Sequence, residues 1–300
     1  MGLRMRAASV LLALSTLALV SCEKPAAETG GGTTSAFETG TLRAVVIGGA
    51  LPMVQAKGND YDGLSFVVLE AIRDQMKHAA QAKADSFRIQ PIAVASAREG
   101  LEKIRSGEAD IACGVGFSWE RQRTLDFTIP FANGGVRLLA PKGNDGTPAS
   151  LNGQTIGVVE NTVAAEVLEA SLDGAAFKTF AAPEQALAAL KRGDVAVLGG
   201  DSLWLKANQR ANAPEADLVP DVPYARSGVG CVVGDATPHL LNVSNLAIGR
   251  LLAAYIGNDP AVRSEINRWI GTDSAIDLSD EQISTFFRMV LTTTAQFTQQ

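Results

Sequence analysis

A chain of 300 residues exceeds the roughly 100 to 200 of one domain, and 46% hydrophobic against 19% charged residues supply ample apolar surface for a core, which excludes intrinsic disorder. The net charge of −6, from 26 Lys+Arg against 32 Asp+Glu with no Lys/Arg-rich run, argues against a grip on phosphate backbone, so nucleic acid is not an expected partner. Two histidines in unrelated contexts, His78 and His239, and three widely spaced cysteines exclude a His-rich metal site, a zinc ribbon and a C-x-x-C redox pair; no metal or cofactor site is predicted.

Arg4 and Arg6 precede an uninterrupted apolar and small run from Ala7 to Val20, too short to span a bilayer and arranged as a signal peptide. Its end, Leu19-Val20-Ser21-Cys22, resembles the bacterial lipobox, in which cleavage leaves the cysteine first and lipid-modified. Residues 1–21 are therefore read as a lipoprotein signal peptide, Cys22 as the lipidation site, and 22–40, rich in Gly, Thr, Glu and Ala, as a flexible tether. The expected location is the cell envelope, in the periplasm or at the cell surface, held to a membrane by the lipid.

Thr41 to Gly48 is a β-branched run before glycines, and Leu64, Val67, Val68, Ala71, Ile72 and Met76 fall on one face of a helix reaching about Ala80. Strand and helix signals then alternate: a strand over 87–94, a helix through Leu101 and Ile104, strands over 109–116 and 153–159, a helix from about Thr162, the short strand KTFA, a helix from Pro183 to Lys191, and a strand over 195–200. This alternation predicts an α/β protein with mostly parallel sheets and helices on both faces. Two extended stretches, 130–141 and 222–231, flank the middle segment. They predict a two-lobed chain hinged on two crossings, with lobe 1 formed by 41–134 plus 227–272, lobe 2 by 135–226, and an extra C-terminal helix in 273–300.

The order of these signals resembles bacterial extracellular solute-binding proteins of family 3, the amino-acid-binding class with the type II periplasmic binding protein fold. Four stretches carry the likeness: LRAVVIGGALPM, DGLSFVVLEAI, EGLEKIRSGEADIACGVGFSWERQRTLDFTIPF, and the span 151–234. The resemblance implies that Arg121, in Trp119-Glu120-Arg121, grips a ligand carboxylate with its planar guanidinium, and that Asp201 receives the ammonium. Asp201 also suits the N-cap of the following helix, and Asn161 and Thr162, which match a Gly-Thr-Thr stretch, are read either as caps or as ligand-binding residues. Gly116 stands where the family has a threonine, so only backbone is left there for a carboxylate. The first loop, Ala50-Leu51-Pro52-Met53, lacks the usual aromatic; Phe117, Trp119 and Trp204 are candidates to replace it, although a lone aromatic is more often a core residue.

In the family's topology Cys113 and Cys231 are neighbours in the sheet, and the favoured expectation is two buried free thiols. Ser279 with Gln282 forms a capping-box signature ahead of Ile283, Phe286, Phe287, Val290 and Leu291 on one helical face, expected to dock on its own domain. The leading expectation is a monomeric, lipid-anchored, non-enzymatic receptor that captures a small carboxylate-bearing solute, most simply an amino acid, for an ABC permease. Two alternatives stand beside it. One is an orphan solute-binding-like accessory or sensor lipoprotein, as in cyanobacteria; the other is a dehydratase-type enzyme with Glu160 as its acid–base candidate.

Overall fold

The computed structural model describes residues 35–81 and 87–297, together with Gly2; Cys22 lies outside the described residues, as does the expected signal peptide apart from Gly2. Ser35 starts a helix through a reciprocal cap: its hydroxyl accepts from the N–H of Glu38, whose carboxylate accepts from the N–H of Ser35. This helix, α1 (Ala36–Thr39), sets Phe37 against Phe87 and His239, with ring centroids 6.3 and 4.3 Å apart. The tether expected to run to residue 40 thus gives way to packed structure from Ser35 onward, because Phe37 is one apolar side chain with a partner to bury against.

The first lobe continues with β1 (Thr41–Ile47), a hairpin of β2 (Gln55–Lys57) and β3 (Asp60–Asp62), α2 (Leu64–Ala79), β4 (Arg88–Val94), α3 (Ala97–Arg105) and β5 (Ile111–Gly116). A 3-10 turn at Arg121–Arg123 leads to β6 (Leu125–Phe127) and the long β7 (Ala132–Ala140). The second lobe contains β8 (Thr155–Val159), α4 (Val163–Ser171), β9 (Ala176–Phe180), α5 (Pro183–Arg192), β10 (Val197–Asp201), α6 (Ser202–Asn212) and β11 (Asp217–Val219). The chain returns along β12 (Ala225–Gly234) and closes the first lobe with α7 (Pro238–Ile256), α8 (Pro260–Ile270) and α9 (Asp280–Phe297).

The strands run in the order β4-β1-β5-β12-β7-β10-β8-β9, with β6 on β12 and β11 on β7. The outer strands of each lobe are parallel, as helical crossovers require: β1 with β4 and β5, and β8 with β9 and β10. The two crossing strands are antiparallel to each other, pairing Ala132–Val136 with Ala225–Val229. Both connections between the lobes therefore run side by side beneath the cleft.

Each lobe buries apolar side chains on both faces of its sheet. In the first, Leu69, Ile72, Met76, Ile248 and Leu252 pack one face, and Leu101, Ile104, Ala112 and Val232 the other. In the second, consecutive residues of β7 serve opposite faces, Leu138 toward Leu168 and Leu139 toward Leu187 and Leu205, which is the period-2 alternation of a strand covered on both sides. Helix ends are set locally: Ser96 and Thr162 cap α3 and α4, and Pro183 opens α5, which Gly193 ends in the left-handed conformation. Arg43 forks onto Asp110, with Nε–Oδ2 at 3.0 Å and an Nη2–Oδ1 contact of 2.6 Å, tying β1 to the turn before β5.

Cys113 and Cys231 form a disulfide, which corrects the expectation of two free thiols. A bulge at Gly114 on β5, opposite the Gly230–Cys231 step, decides the pairing: Gly230 faces Val115 and Cys231 faces Cys113, so that in unbroken register Cys231 would oppose Gly114. The C-terminal helix is capped by Ser279 and Gln282 and buries Ile283, Phe287 and Val290 in the first-lobe core, with Phe287 5.2 Å from the Tyr255 ring.

Candidate ligand-binding site

A cavity of about 230 Å³ lies between the lobes. All five residues named from the sequence as ligand contacts, Gly116, Arg121, Asn161, Thr162 and Asp201, line it. Arg121 and Asp201 are the lining residues that carry charge, one contributed by each lobe. Most of the remaining wall is apolar, including Leu51, Met53, Leu101, Val115, Val163, Leu203 and Val229.

Arg121 begins the 3-10 turn and is 9% exposed. Its Nη1 donates to the carbonyl of Gly116 at 3.1 Å and its Nη2 to the carbonyl of Asn161, across the cleft, at 2.8 Å. Glu166, in the first turn of α4, places a carboxylate oxygen 3.7 Å from the same Nη2. Burial lowers the guanidinium's pKa and the Glu166 charge offsets this in part. A guanidinium has five N–H groups, so the two carbonyls leave donors for a further acceptor. Asn161 presents its carbonyl to Arg121 from a left-handed conformation (φ 57°), which asparagine adopts more readily than most residues. Its side-chain oxygen accepts from Arg98 at 3.2 Å, while its Nδ2 is buried without an acceptor.

Asp201 ends β10 and caps α6, accepting the N–H of Leu203 at 2.9 Å. Burial pushes its carboxyl up to about 6, against the opposing pull of the Leu203 and Trp204 N–H groups. Gly134 on β7 makes room for it: a Cβ there would strike the Asp201 Oδ2. Thr162 behaves as a cap, donating to the carbonyl of Val159 at 2.7 Å and accepting the N–H of Ala165. Gly116 contributes its carbonyl to Arg121 and also lines the cavity.

Trp204, considered from the sequence only as an aromatic substitute, also lines the cavity, and its indole N–H donates to the carbonyl of Gly49 in the other lobe at 2.9 Å. Gly49 has φ 69°, and a side chain there would collide with Glu184 at the start of α5. Phe117 and Trp119 pack edge to face against each other outside the cavity, and Trp119 is 79% exposed. Glu160, the acid–base candidate, is not among the lining residues; its N–H pairs with Phe180. Sequence reasoning missed Glu166, Arg98 and Glu184. Helical spacing from Val163 to Glu166 was the one available signal, since residues three apart share a face and Val163 lines the cavity. Among the described residues no three His, Cys, Asp or Glu side chains converge as a metal site.

This architecture is that of two-lobed type II periplasmic binding proteins. Residues 42–275 match the model of bacterial extracellular solute-binding proteins, family 3, and the chain belongs to that family. Membership implies an extracytoplasmic location. A solved ancestral arginine-binding protein bound to glutamine is similar in structure, with a TM-score of 0.65 and 20% identity over 77% of this chain and 98% of that one. The ancestral amino-acid-binding protein AncCDT-1, a precursor of cyclohexadienyl dehydratase, superposes with a TM-score of 0.66 and 17% identity, covering 79% of this chain and 98% of its own. The virulence sensor protein BvgS of Bordetella bronchiseptica is 26% identical over 190 residues, 61% of this chain; the match spans only 15% of that longer protein.

Proposed function

We propose that this chain is a lipid-anchored, non-enzymatic binding protein that captures a small amino acid by closure of its lobes about the β7/β12 pair and delivers it to an ABC permease. The observation that carries this reading is the pair of opposite charges at one interlobe cavity, Arg121 for a carboxylate and Asp201 for an ammonium. A zwitterion neutralises both groups together, so neither charge stays unpaired in a water-poor site. Gly116, Asn161 and Thr162 complete the binding set around Arg121, and Cys22 carries the anchor. The test is calorimetric titration of the full chain in detergent, stripped of carried ligand by unfolding and refolding. Arg121→Ala is expected to weaken amino-acid binding at least a hundredfold with little change in the melting temperature of the ligand-free protein. Native affinity in that variant would reject the site.

A sensory role is the second reading, favoured by the match to a virulence sensor. It keeps the same ligand chemistry and replaces the permease with a signalling partner. Crosslinking in membranes followed by identification of the captured protein separates the two.

A further inference from the structure

The walls beyond the two charges say what the rest of the ligand is. Besides Arg121 and Asp201, the lining side chains with polar groups are Asn161, Thr162, Ser227 and Trp204, and among their polar atoms the Asn161 Nδ2 alone has no partner. The Asn161 oxygen accepts from Arg98, and its Nδ2 is buried and offers one donor. Thr162 serves α4, Ser227 is within reach of the carbonyl of Gly228 at 3.3 Å, and the Trp204 N–H is turned onto Gly49. The remaining lining side chains offer methyl, methylene and thioether surface, as in Leu51, Met53, Leu101, Val115 and Leu203. A guanidinium brought into this space would lose its water and find no uncommitted side-chain acceptor beyond Asp201, and a second carboxylate would find one neutral donor, the Asn161 Nδ2, in place of its water, a large cost for a charged group. An aliphatic side chain loses nothing there and gains about 0.8 kcal/mol per buried methylene.

Building on the amino-acid reading above, we propose that the cavity selects an amino acid with a compact, uncharged apolar side chain, of the size of valine, leucine or methionine. The chain would thereby differ from the ancestral arginine-binding relative in what it carries while sharing its fold. The volume agrees: about 230 Å³ lies below the 300 to 1,000 Å³ of sites for larger ligands.

The experiment is calorimetric competition on the stripped full chain in detergent, with alanine, valine, leucine, methionine, arginine, glutamine and glutamate, together with 4-methylpentanoate and 3-methylbutylamine. Affinity is expected to rise about fourfold per added side-chain carbon from alanine to leucine. Arginine, glutamine and glutamate are expected to bind at least a hundredfold more weakly than leucine. Arginine or glutamate binding as tightly as leucine overturns the selectivity and leaves the amino-acid reading standing. If 4-methylpentanoate or 3-methylbutylamine binds as tightly as leucine, the selectivity stands and the two-charge reading falls. If none of the nine compounds binds, both fall.

Discussion

Arg121 and Asp201 face one cavity but are satisfied in different ways. Arg121 takes acceptors from both lobes, the carbonyl of Gly116 in its own and the carbonyl of Asn161 in the other, with Glu166 as a nearby counter-charge. Asp201 is held within its own lobe by backbone N–H groups at the start of α6 and forms no ion pair among the described residues, and burial raises its carboxyl pKa. A charge shared between lobes reports on closure, whereas a charge satisfied only by a helix end keeps an unmet demand for a cation.

Removing the Asp201 carboxylate tests that contrast most strongly. Asp201→Ala is expected to weaken binding of an amino acid by about 2 to 5 kcal/mol, roughly thirtyfold to several thousandfold, by leaving the ligand's ammonium buried and unpaired. The ligand-free variant should lose only about 1 kcal/mol for the missing cap, offset by release of a buried charge. Calorimetry together with chemical denaturation measures both numbers; unchanged affinity would place the ammonium elsewhere.

The first-lobe wall has a covalent support that the second lacks among the described residues. The Cys113–Cys231 bond closes a loop with a sequence separation of 118 that contains the entire second lobe, and Cys113 lines the cavity. Replacing both cysteines by alanine is expected to cost about 2 to 5 kcal/mol of stability, read as a lower denaturant midpoint. Equal stability of the double variant would show that the sheet alone holds β5 to β12.

The pH response sharpens the contrast further. An acid whose folded pKa is about 6, against an ordinary 3.8, binds more protons folded than unfolded between those values. The Asp201 contribution therefore favours the ligand-free fold below that window and is lost as pH rises through it, by up to about 3 kcal/mol. An ammonium ligand prefers the ionised carboxylate, so its affinity should rise over the same interval. Thermal unfolding from pH 4 to 7, with Asp201→Asn as control, should show both slopes in the native chain and neither in the variant. The smallest effect is expected at Glu166, which is half exposed: Glu166→Gln should change affinity by less than about 1 kcal/mol, since a screened pair at 3.7 Å contributes little.

Much of this molecule is written in local pattern. The apolar face of Leu64 to Met76, the Pro183 start and Gly193 end of α5, and the Ser279/Gln282 cap of α9 are decided by neighbours one to four residues away, which is why the helices were legible. The motif around Arg121 and the strand end at Asp201 likewise pointed to residues that the fold brings to one cavity. The disulfide was not legible, because one bulged residue on β5, Gly114, opposite the Gly230–Cys231 step determines whether Cys113 has a partner. Nor was the role of Trp204, whose acceptor on Gly49 is 155 positions away, or that of Asn161, which offers Arg121 a carbonyl 40 positions on. The sequence by itself determined the helices, the strands and the two charged groups, since helix and strand periods and caps act over a single turn. The tertiary structure alone decided which polar groups are already satisfied and which surface stays apolar around a ligand, since that depends on contacts made only when the two lobes meet.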